Sequence, residues 1–214
     1  NLATVIDGDG LVAKGTVNAG GIPLTVNWHQ YFQASAEIGT ALDFSGKMTN
    51  EHLAALGFDP SPYLTGPIGV DGRIIDYNGG DTDIQATATL DEALLTIPAL
   101  KLERQSVPGS LLLAVQIKPD NQIVISSASL STQSLNADGG AQFNTDGSFT
   151  AQLNRIALGE TRLSASVEQT ADGALDIVLN GPRLDLRPLL DDGEESEAAA
   201  AAQAEASDDG GWAT

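Results

Sequence analysis

The sequence predicts an all-β fold, an antiparallel meander that forms a curled and twisted sheet shaped like a groove or a taco. Three observations lead to this prediction: alternating apolar and polar residues, regularly spaced turn dipeptides, and a glycine content of 23 in 214 residues. Alternation indicates strands with one apolar and one polar face, because successive side chains point to opposite sides. Short strands between regular turns are typical of a meander.

The turns set the approximate strand boundaries. Asn-Gly and Asp-Gly tolerate the positive φ of tight hairpin turns, and such dipeptides stand at 7–8, 9–10, 71–72, 78–79, 138–139, 146–147 and 172–173. Strands are predicted over 10–18, 22–28, 36–47, 66–77, 81–91, 93–97, 108–118, 121–130, 132–137, 140–145, 148–158, 161–169 and 174–180.

One short helix is predicted over 50–57. Thr49 or Asn50 can cap it, Glu51 suits its first turn, and Gly57 ends it. We expect this helix to act as a lid or plug on one end of the apolar face, together with the aromatic residues Trp28 and Phe32. The predicted lid and plug residues are Leu53, Leu56, Phe58, Trp28 and Phe32.

The composition changes after residue 190. Residues 191–211 are acidic and rich in alanine, with no apolar period to bury, so they are predicted to be a disordered linker. Residues 212–214 resemble the stub of a following strand, which predicts that the natural protein continues. The folded unit is predicted to cover residues 1–190, one β-rich module. A first residue other than Met fits a processed chain or an excised fragment.

The charge and the missing residue types exclude several functions. Ten Lys and Arg against 29 Asp and Glu give a net charge of −19, which argues against nucleic-acid binding. The chain has no Cys and only two His, so no metal site and no cofactor are predicted. The sequence contains no run of 18 apolar residues that could span a membrane as a helix. We therefore expect membrane contact only through parts of the parent protein outside this sequence.

Candidate polar sites have ordinary explanations. The Asp-Gly-Asp-Gly run at 7–10 lacks the later ligands of a calcium loop, so hairpin turns are favoured over a metal site. The best carboxylate pairs for acid–base chemistry, Asp71 with Asp76 and Glu37 with Asp43, lie on predicted polar strand faces where solvated charge is expected. The aromatic residues at 28–32 fit an end of a core better than a platform for sugars or bases. No catalytic residue is predicted, and the protein is not expected to be an enzyme.

The apolar rows are the most informative feature. A second sheet can cover them and form a sandwich, the sheet can curl into a barrel or taco, or neighbouring modules can extend it into a groove. An open aliphatic face without placed polar groups suits acyl chains, because it solvates methylenes with little discrimination. The predicted lipid-facing residues are Ile84, Ala86, Ala88, Leu90, Leu111, Leu113, Val115, Ile117, Leu163, Val167, Leu175, Ile177 and Leu179.

Four segments together resemble a known family. They are GIPLTVNW at 21–28, ALGFD at 55–59 leading into PYLTGPIGV at 62–70, VPG at 107–109, and LNGPRLDLRPLL at 179–190. Over roughly residues 10–190 the chain resembles the periplasmic middle region of AsmA-like (YhdP/TamB-type) envelope proteins of Gram-negative bacteria, in an alphaproteobacterial form. These are turn and packing motifs, with no catalytic signature.

The resemblance implies a module of a bridge-like lipid transport protein that is anchored in the inner membrane. Its periplasmic β-groove would shield phospholipid acyl chains between the inner and outer membranes, with neighbouring modules of the same chain as partners. This sequence departs from the family in its missing transmembrane helix and its short length. The alternative is a non-catalytic structural or adhesive β-module that links envelope components.

Overall fold

The computed structural model describes residues 1–33, 35–55, 61–97, 102–106 and 108–185. These residues form fifteen strands and one short helix, which confirms the predicted antiparallel β meander. Twelve of the strands form one large sheet that is not closed, and three form a small sheet. The predicted linker at 191–211 and the stub at 212–214 lie outside the described residues.

The large sheet keeps the order of the chain. Its strands, each antiparallel to the next, are β1 (Leu2–Ile6), β2 (Gly10–Ala19), β3 (Ile22–Tyr31), β4 (Ile38–Met48), β6 (Ile68–Tyr77), β7 (Thr82–Thr89), β10 (Gly109–Ile117), β11 (Ile123–Thr132), β12 (Leu135–Phe143), β13 (Phe149–Leu158), β14 (Thr161–Gln169) and β15 (Leu175–Arg183). Strands β1 and β15 are the two edges. Eleven spacings of about 4.8 Å between twelve strands make the sheet about 50 Å wide.

The remaining elements come from two excursions of the chain at one end of the sheet. Between β4 and β6 lie α1 (Asn50–Ala55) and β5 (Leu64–Thr65), and between β7 and β10 lie β8 (Leu94–Ile97) and β9 (Leu102–Ser106). Strands β5, β8 and β9 form the small sheet. We call this end of the large sheet the lid end.

The start of α1 is held by one half of a capping box. The Leu53 amide donates to the Thr49 carbonyl at 3.1 Å, and the Thr49 amide donates to Nδ1 of His52 at 3.2 Å. A side chain three residues into the helix thus satisfies the backbone of the capping residue, as in a capping box. The Asn50 side chain also donates to the Leu64 carbonyl, so the helix is tied to β5.

The opposite end, which we call the hairpin end, is built from tight turns. Four five-residue segments there, 77–81, 118–122, 144–148 and 170–174, share one geometry. In each, the first amide donates to the fifth carbonyl and the fourth amide donates to the first carbonyl. The fourth residue has a left-handed backbone, with φ of 95° at Gly80, 64° at Asn121, 87° at Gly147 and 88° at Gly173. Glycine and asparagine are the residues that adopt this φ at least cost.

Three predictions about strands and turns are wrong. Asp71-Gly72, predicted to be a turn dipeptide, lies within β6, where it pairs with Ser45 and Phe44 of β4. Segments 132–137 and 140–145 form the single strand β12, and Asp138-Gly139 lies at a bulge against β13 instead of in a turn. The close partner strand explains the glycine, because a Cβ at Gly139 would lie 2.2 Å from the Gln152 carbonyl oxygen. Strands β1 and β9 were not predicted, because Leu2–Ile6 and Leu102–Ser106 lack a clear period of two.

Candidate functional site

The register of the large sheet places apolar residues on one face across all twelve strands. We call this side the apolar face and the other the polar face. One row of paired residues runs the whole width of the sheet and contains only apolar side chains and glycine. From β1 to β15 it consists of Leu2, Gly15, Val26, Phe44, Gly72, Ala86, Leu113, Ala128, Gly139, Leu153, Ala165 and Leu179.

The row next to it, towards the hairpin end, is nearly as uniform. It contains one polar residue, Thr4, and otherwise consists of Ala13, Trp28, Leu42, Ile74, Ile84, Val115, Ile125, Ala141, Ala151, Val167 and Ile177. Since cross-strand partners lie on the same side of a sheet, all the residues predicted to face lipid lie on the apolar face. They are Ile84, Ala86, Ala88, Leu90, Leu111, Leu113, Val115, Ile117, Leu163, Val167, Leu175, Ile177 and Leu179.

The lid end of the apolar face is covered. A buried cluster there comprises Ile22, Met48, Ile68, Val70, Leu90 and Ala93, and Ile22 is only 1% exposed. Leu53 of α1 and Leu64 of β5 pack against this cluster from the excursions. The lid end is therefore the hydrophobic core of the protein, and Leu53 lies where the sequence predicts a lid. Leu56 and Phe58, the other predicted lid residues of this segment, lie outside the described residues.

The rest of the apolar face has no second layer among the described residues. Apart from Leu130 of β11, which packs against the lid-end cluster, strands β11 to β15 mainly contact their neighbours in the sheet. Most apolar side chains there are half-buried by one another, and on the edge strand Leu175, Ile177 and Leu179 are 55%, 54% and 55% exposed. In the described part of the chain, the sealed sandwich is therefore not formed on these strands.

Trp28 and Phe32 do not form the predicted plug of a buried end. Trp28 lies on the apolar face and is 37% exposed, while Phe32 follows β3 at the hairpin end and is 51% exposed. Both lie far from the lid-end cluster, at the other end of β3 from Ile22. No covering element exists at this end in the described residues, so the two rings remain accessible to solvent.

The polar face carries paired charges. Arg73 Nε lies 3.5 Å from Asp43 Oδ1, and Arg155 Nε lies 2.8 Å from Asp138 Oδ1, both between neighbouring strands. Wide, shallow depressions occur on this face, one of about 520 Å³ over Gln152 and Glu168 and one of about 440 Å³ over Arg73 and Leu112. Both depressions therefore open on the polar face, and the apolar face beyond the covered lid end carries neither of them.

The candidate carboxylate pairs are not brought together for acid–base chemistry. Asp71 and Asp76 lie on opposite faces of β6, because Asp71 pairs with Ser45 on the polar face and Asp76 with Thr40 on the apolar face. Asp43 forms an ion pair with Arg73, and its Oδ2 accepts a hydrogen bond of 3.2 Å from the side-chain Nδ2 of Asn27. These carboxylates belong to the sheet's surface network.

The turn carboxylates bind backbone and hydroxyl groups. Asp7 Oδ1 accepts from the amides of Asp9 and Gly10 at 2.9 and 3.0 Å, which is a turn and not a calcium loop. Hydrogen bonds from the Ser148 hydroxyl and amide lower the pKa of Asp146, and a hydrogen bond from the Thr170 hydroxyl lowers the pKa of Asp172. Among the described residues no three His, Cys, Asp or Glu side chains form a metal site.

The apolar face also carries a patch of four polar side chains that the sequence analysis did not predict. At the hairpin end of β3, β4, β6 and β7, the row of cross-strand partners is Gln30, Thr40, Asp76 and Thr82, and all four are half-buried. Thr40 Oγ1 donates to Gln30 Oε1 at 2.9 Å, and Thr82 Oγ1 donates to Asp76 Oδ1 at 2.7 Å. The sequence signal is a polar residue at an apolar position in four consecutive strands of this sheet, which only the register reveals.

Comparisons with known proteins give no relative. No protein-family model, curated protein or solved structure is significantly similar to the chain. The helix in the described part of the chain is too short to cross a membrane.

Proposed function

We propose that the chain is a non-catalytic lipid-shielding module, which holds phospholipid acyl chains against the open part of its apolar face. In this proposal it forms part of a bridge-like lipid transport protein of the Gram-negative envelope. The parent protein would be anchored in the inner membrane, and this module would lie in the periplasm. The placement in the envelope rests on the family resemblance of the four sequence segments.

The continuous apolar face is the observation that carries the proposal. Strands β11 to β15 alone span about 20 Å across the sheet and about 30 Å along the strands, a footprint of about 600 Å² that matches the largest apolar patches of monomeric proteins, which are often functional. An exposed surface of this size costs free energy in water, at about 25 cal/mol for each Å². A bound acyl chain would remove that cost.

The chemistry of the face also supports acyl chains over a more specific ligand. Its middle rows carry Leu, Ile, Val, Ala and Gly with very few polar groups. Such a surface binds methylene groups by burial and offers few hydrogen bonds that select a shape or a functional group. Transport of many lipid molecules past one surface requires this kind of weak and unselective contact.

Two adjacent residues of the edge strand allow a clean test. Ile177 on the apolar face and Val178 on the polar face are both 54% exposed, so Asp at either position meets water and leaves the fold intact. We expect native mass spectrometry of the purified chain to show bound phospholipid, reduced in Ile177→Asp and unchanged in Val178→Asp. A wild-type chain that carries no phospholipid, and takes up none from vesicles, would contradict the proposal.

The edges of the sheet favour the alternative of a structural module. Edge strands usually carry Lys, Pro or inward-pointing charges that prevent pairing with other strands. Strand β1 has the sequence LATVI with no charged residue, whereas β15, LDIVLNGPR, carries Asp176, Pro182 and Arg183. Among the described residues, β1 is therefore the edge more open to strand addition, which an envelope-linking β-module would use. Lipid-free wild-type protein that associates through β1 or β15 would favour this alternative.

A further inference from the structure

The apolar face has a run of four polar residues in adjacent strands, and it lies at the end away from the lid. Gln30, Thr40, Asp76 and Thr82 form one paired row of β3, β4, β6 and β7 near the hairpin end. The next row inward is Trp28, Leu42, Ile74 and Ile84, and at the far end the strands reach the buried lid-end cluster. Along these four strands the face is therefore amphipathic, polar at one end and apolar at the other.

The surroundings of this polar patch are strongly acidic. The hairpin-end loops nearest the patch carry five carboxylates, Asp7, Asp9, Glu37, Asp81 and Asp120, against one basic residue, Lys118. Lys118 is itself paired with Asp81, at 3.3 Å between Nζ and Oδ2. Five negative charges and one positive charge leave a net charge of −4 on these loops, and Asp76 adds a further carboxylate within the patch.

We propose that the patch of Gln30, Thr40, Asp76 and Thr82 is the subsite for the head group of the bound amphiphile, and that it selects heads that carry an ammonium group. This inference rests on the proposed function, because it assumes an acyl chain on the apolar face. The chain runs along the strands from the patch towards the lid, and the polar head stays at the hairpin end.

Two physical arguments support this orientation and this charge. A polar head placed against the buried apolar cluster of the lid end would lose its contact with water to apolar side chains, and such burial is costly. At the hairpin end the amide, hydroxyl and carboxylate groups of the patch can bind a head group. The carboxylate and the acidic loops attract a cation and repel a free anion such as a sulfate.

The preference of the subsite for a positively charged head is tested with two fluorescent amphiphiles of equal chain length, one with a trimethylammonium head and one with a sulfate head. Asp76→Asn removes the patch charge and keeps the side-chain shape. Asp71→Asn is the matched control, because it removes the same charge from the polar face of the same strand. We expect Asp76→Asn to weaken ammonium binding about fivefold, the factor for two unit charges about 4 Å apart in water, and not to weaken sulfate binding.

The orientation is tested by fluorescence quenching of Trp28, which lies one row inward from the patch. The variant Trp212→Phe leaves Trp28 as the one tryptophan of the chain. We expect an alkyltrimethylammonium probe brominated next to its head to quench Trp28 more than the same probe brominated at the chain terminus.

The outcomes separate this inference from the proposed function. Equal effects of Asp76→Asn and Asp71→Asn, or equal quenching by both brominated probes, would overturn the head-group subsite while acyl binding remained. If the wild-type chain bound neither amphiphile, the proposed function would fail, and this inference would fail with it.

Discussion

The lid end and the open strands carry the same sequence pattern and meet different surroundings. At the lid end, Leu90 ends an alternating strand and is buried in the cluster that Leu53 and Leu64 cover. On β14, Leu163 and Val167 alternate with polar residues in the same way and stay only half-buried. The difference lies in the excursions after β4 and β7, which return over one end of the sheet. An alternating strand thus predicts an apolar face, and the neighbouring segments determine whether that face becomes a core or a binding surface.

A charge introduced into each region should separate them most strongly. Val70→Asp at the lid end places an unpaired carboxylate in the buried cluster, so we expect a loss of several kcal/mol or failure to fold. Val115→Asp on the open part of the face lets water reach the carboxylate, so we expect the chain to fold and to retain less lipid. Urea titration monitored by circular dichroism measures both variants. Equal destabilisation would mean that the face around Val115 is sealed, as in a sandwich.

Removal of the same side chain at both places gives a smaller contrast. Ile22→Ala should cost about 2–5 kcal/mol, because the site is fully buried and a cavity remains. Ile177→Ala should cost less than about 0.5 kcal/mol, because the side chain is mostly in water already. Denaturant titration gives the free energy of unfolding of both variants and shows whether the two losses differ. A large loss at Ile177 would show that the edge strand is covered in solution.

A glycine on the apolar face tests how closely β4 and β6 pack. A Cβ at Gly72 would lie 2.5 Å from Cζ of Phe44 and 2.9 Å from the Gln85 carbonyl oxygen. We expect Gly72→Ala to cost about 1–3 kcal/mol, through displacement of the Phe44 ring. Gly69→Ala on the polar face of the same strand is the control, since its Cβ would meet Thr89 at an ordinary 3.5 Å. Equal thermal stability of the two variants would argue against close packing of Phe44 over β6.

The smallest effect is expected at the hairpin end, in acid. Hydrogen bonds from Ser148 lower the pKa of Asp146 in the folded protein below its value in the unfolded chain. Stability from this carboxylate is therefore fully present above the unfolded pKa of about 3.9 and is lost as the pH falls through the lower folded pKa. Asp146→Asn should flatten the melting temperature between pH 4 and pH 2 relative to wild type. Parallel curves for the two proteins would mean that the turn contributes nothing to acid stability.

Much of the fold could be predicted from the sequence, because period two and turn dipeptides are local signals. The predicted strand at 161–169 coincides with β14, and the Asp146-Gly147 and Asp172-Gly173 turns are confirmed. Asp138-Gly139 was mistaken for a turn, because its glycine is required by contact with the next strand, which a local pattern does not contain.

The site was predictable only in part, for the same reason. The alternation in 84–90 and 111–117 was sufficient to place their apolar residues on one face, because every second residue of a strand points to the same face of the sheet. The patch of Gln30, Thr40, Asp76 and Thr82 depends on the register of four strands, and the lid depends on which excursion folds over which strand. Both are long-range properties of the sheet.

The central claim is that acyl chains bind the apolar face and not the polar face, and neighbouring leucines on β10 test it most directly. Leu113 lies on the apolar face and Leu112 on the polar face, where it is 50% exposed. The measurement is the affinity of a fluorescent fatty acid for Leu113→Asp and Leu112→Asp, after circular dichroism has shown that both variants fold. We predict about a tenfold loss in Leu113→Asp, equivalent to about 1.4 kcal/mol, and wild-type affinity in Leu112→Asp. Equal affinities, or a greater loss in Leu112→Asp, would contradict the account.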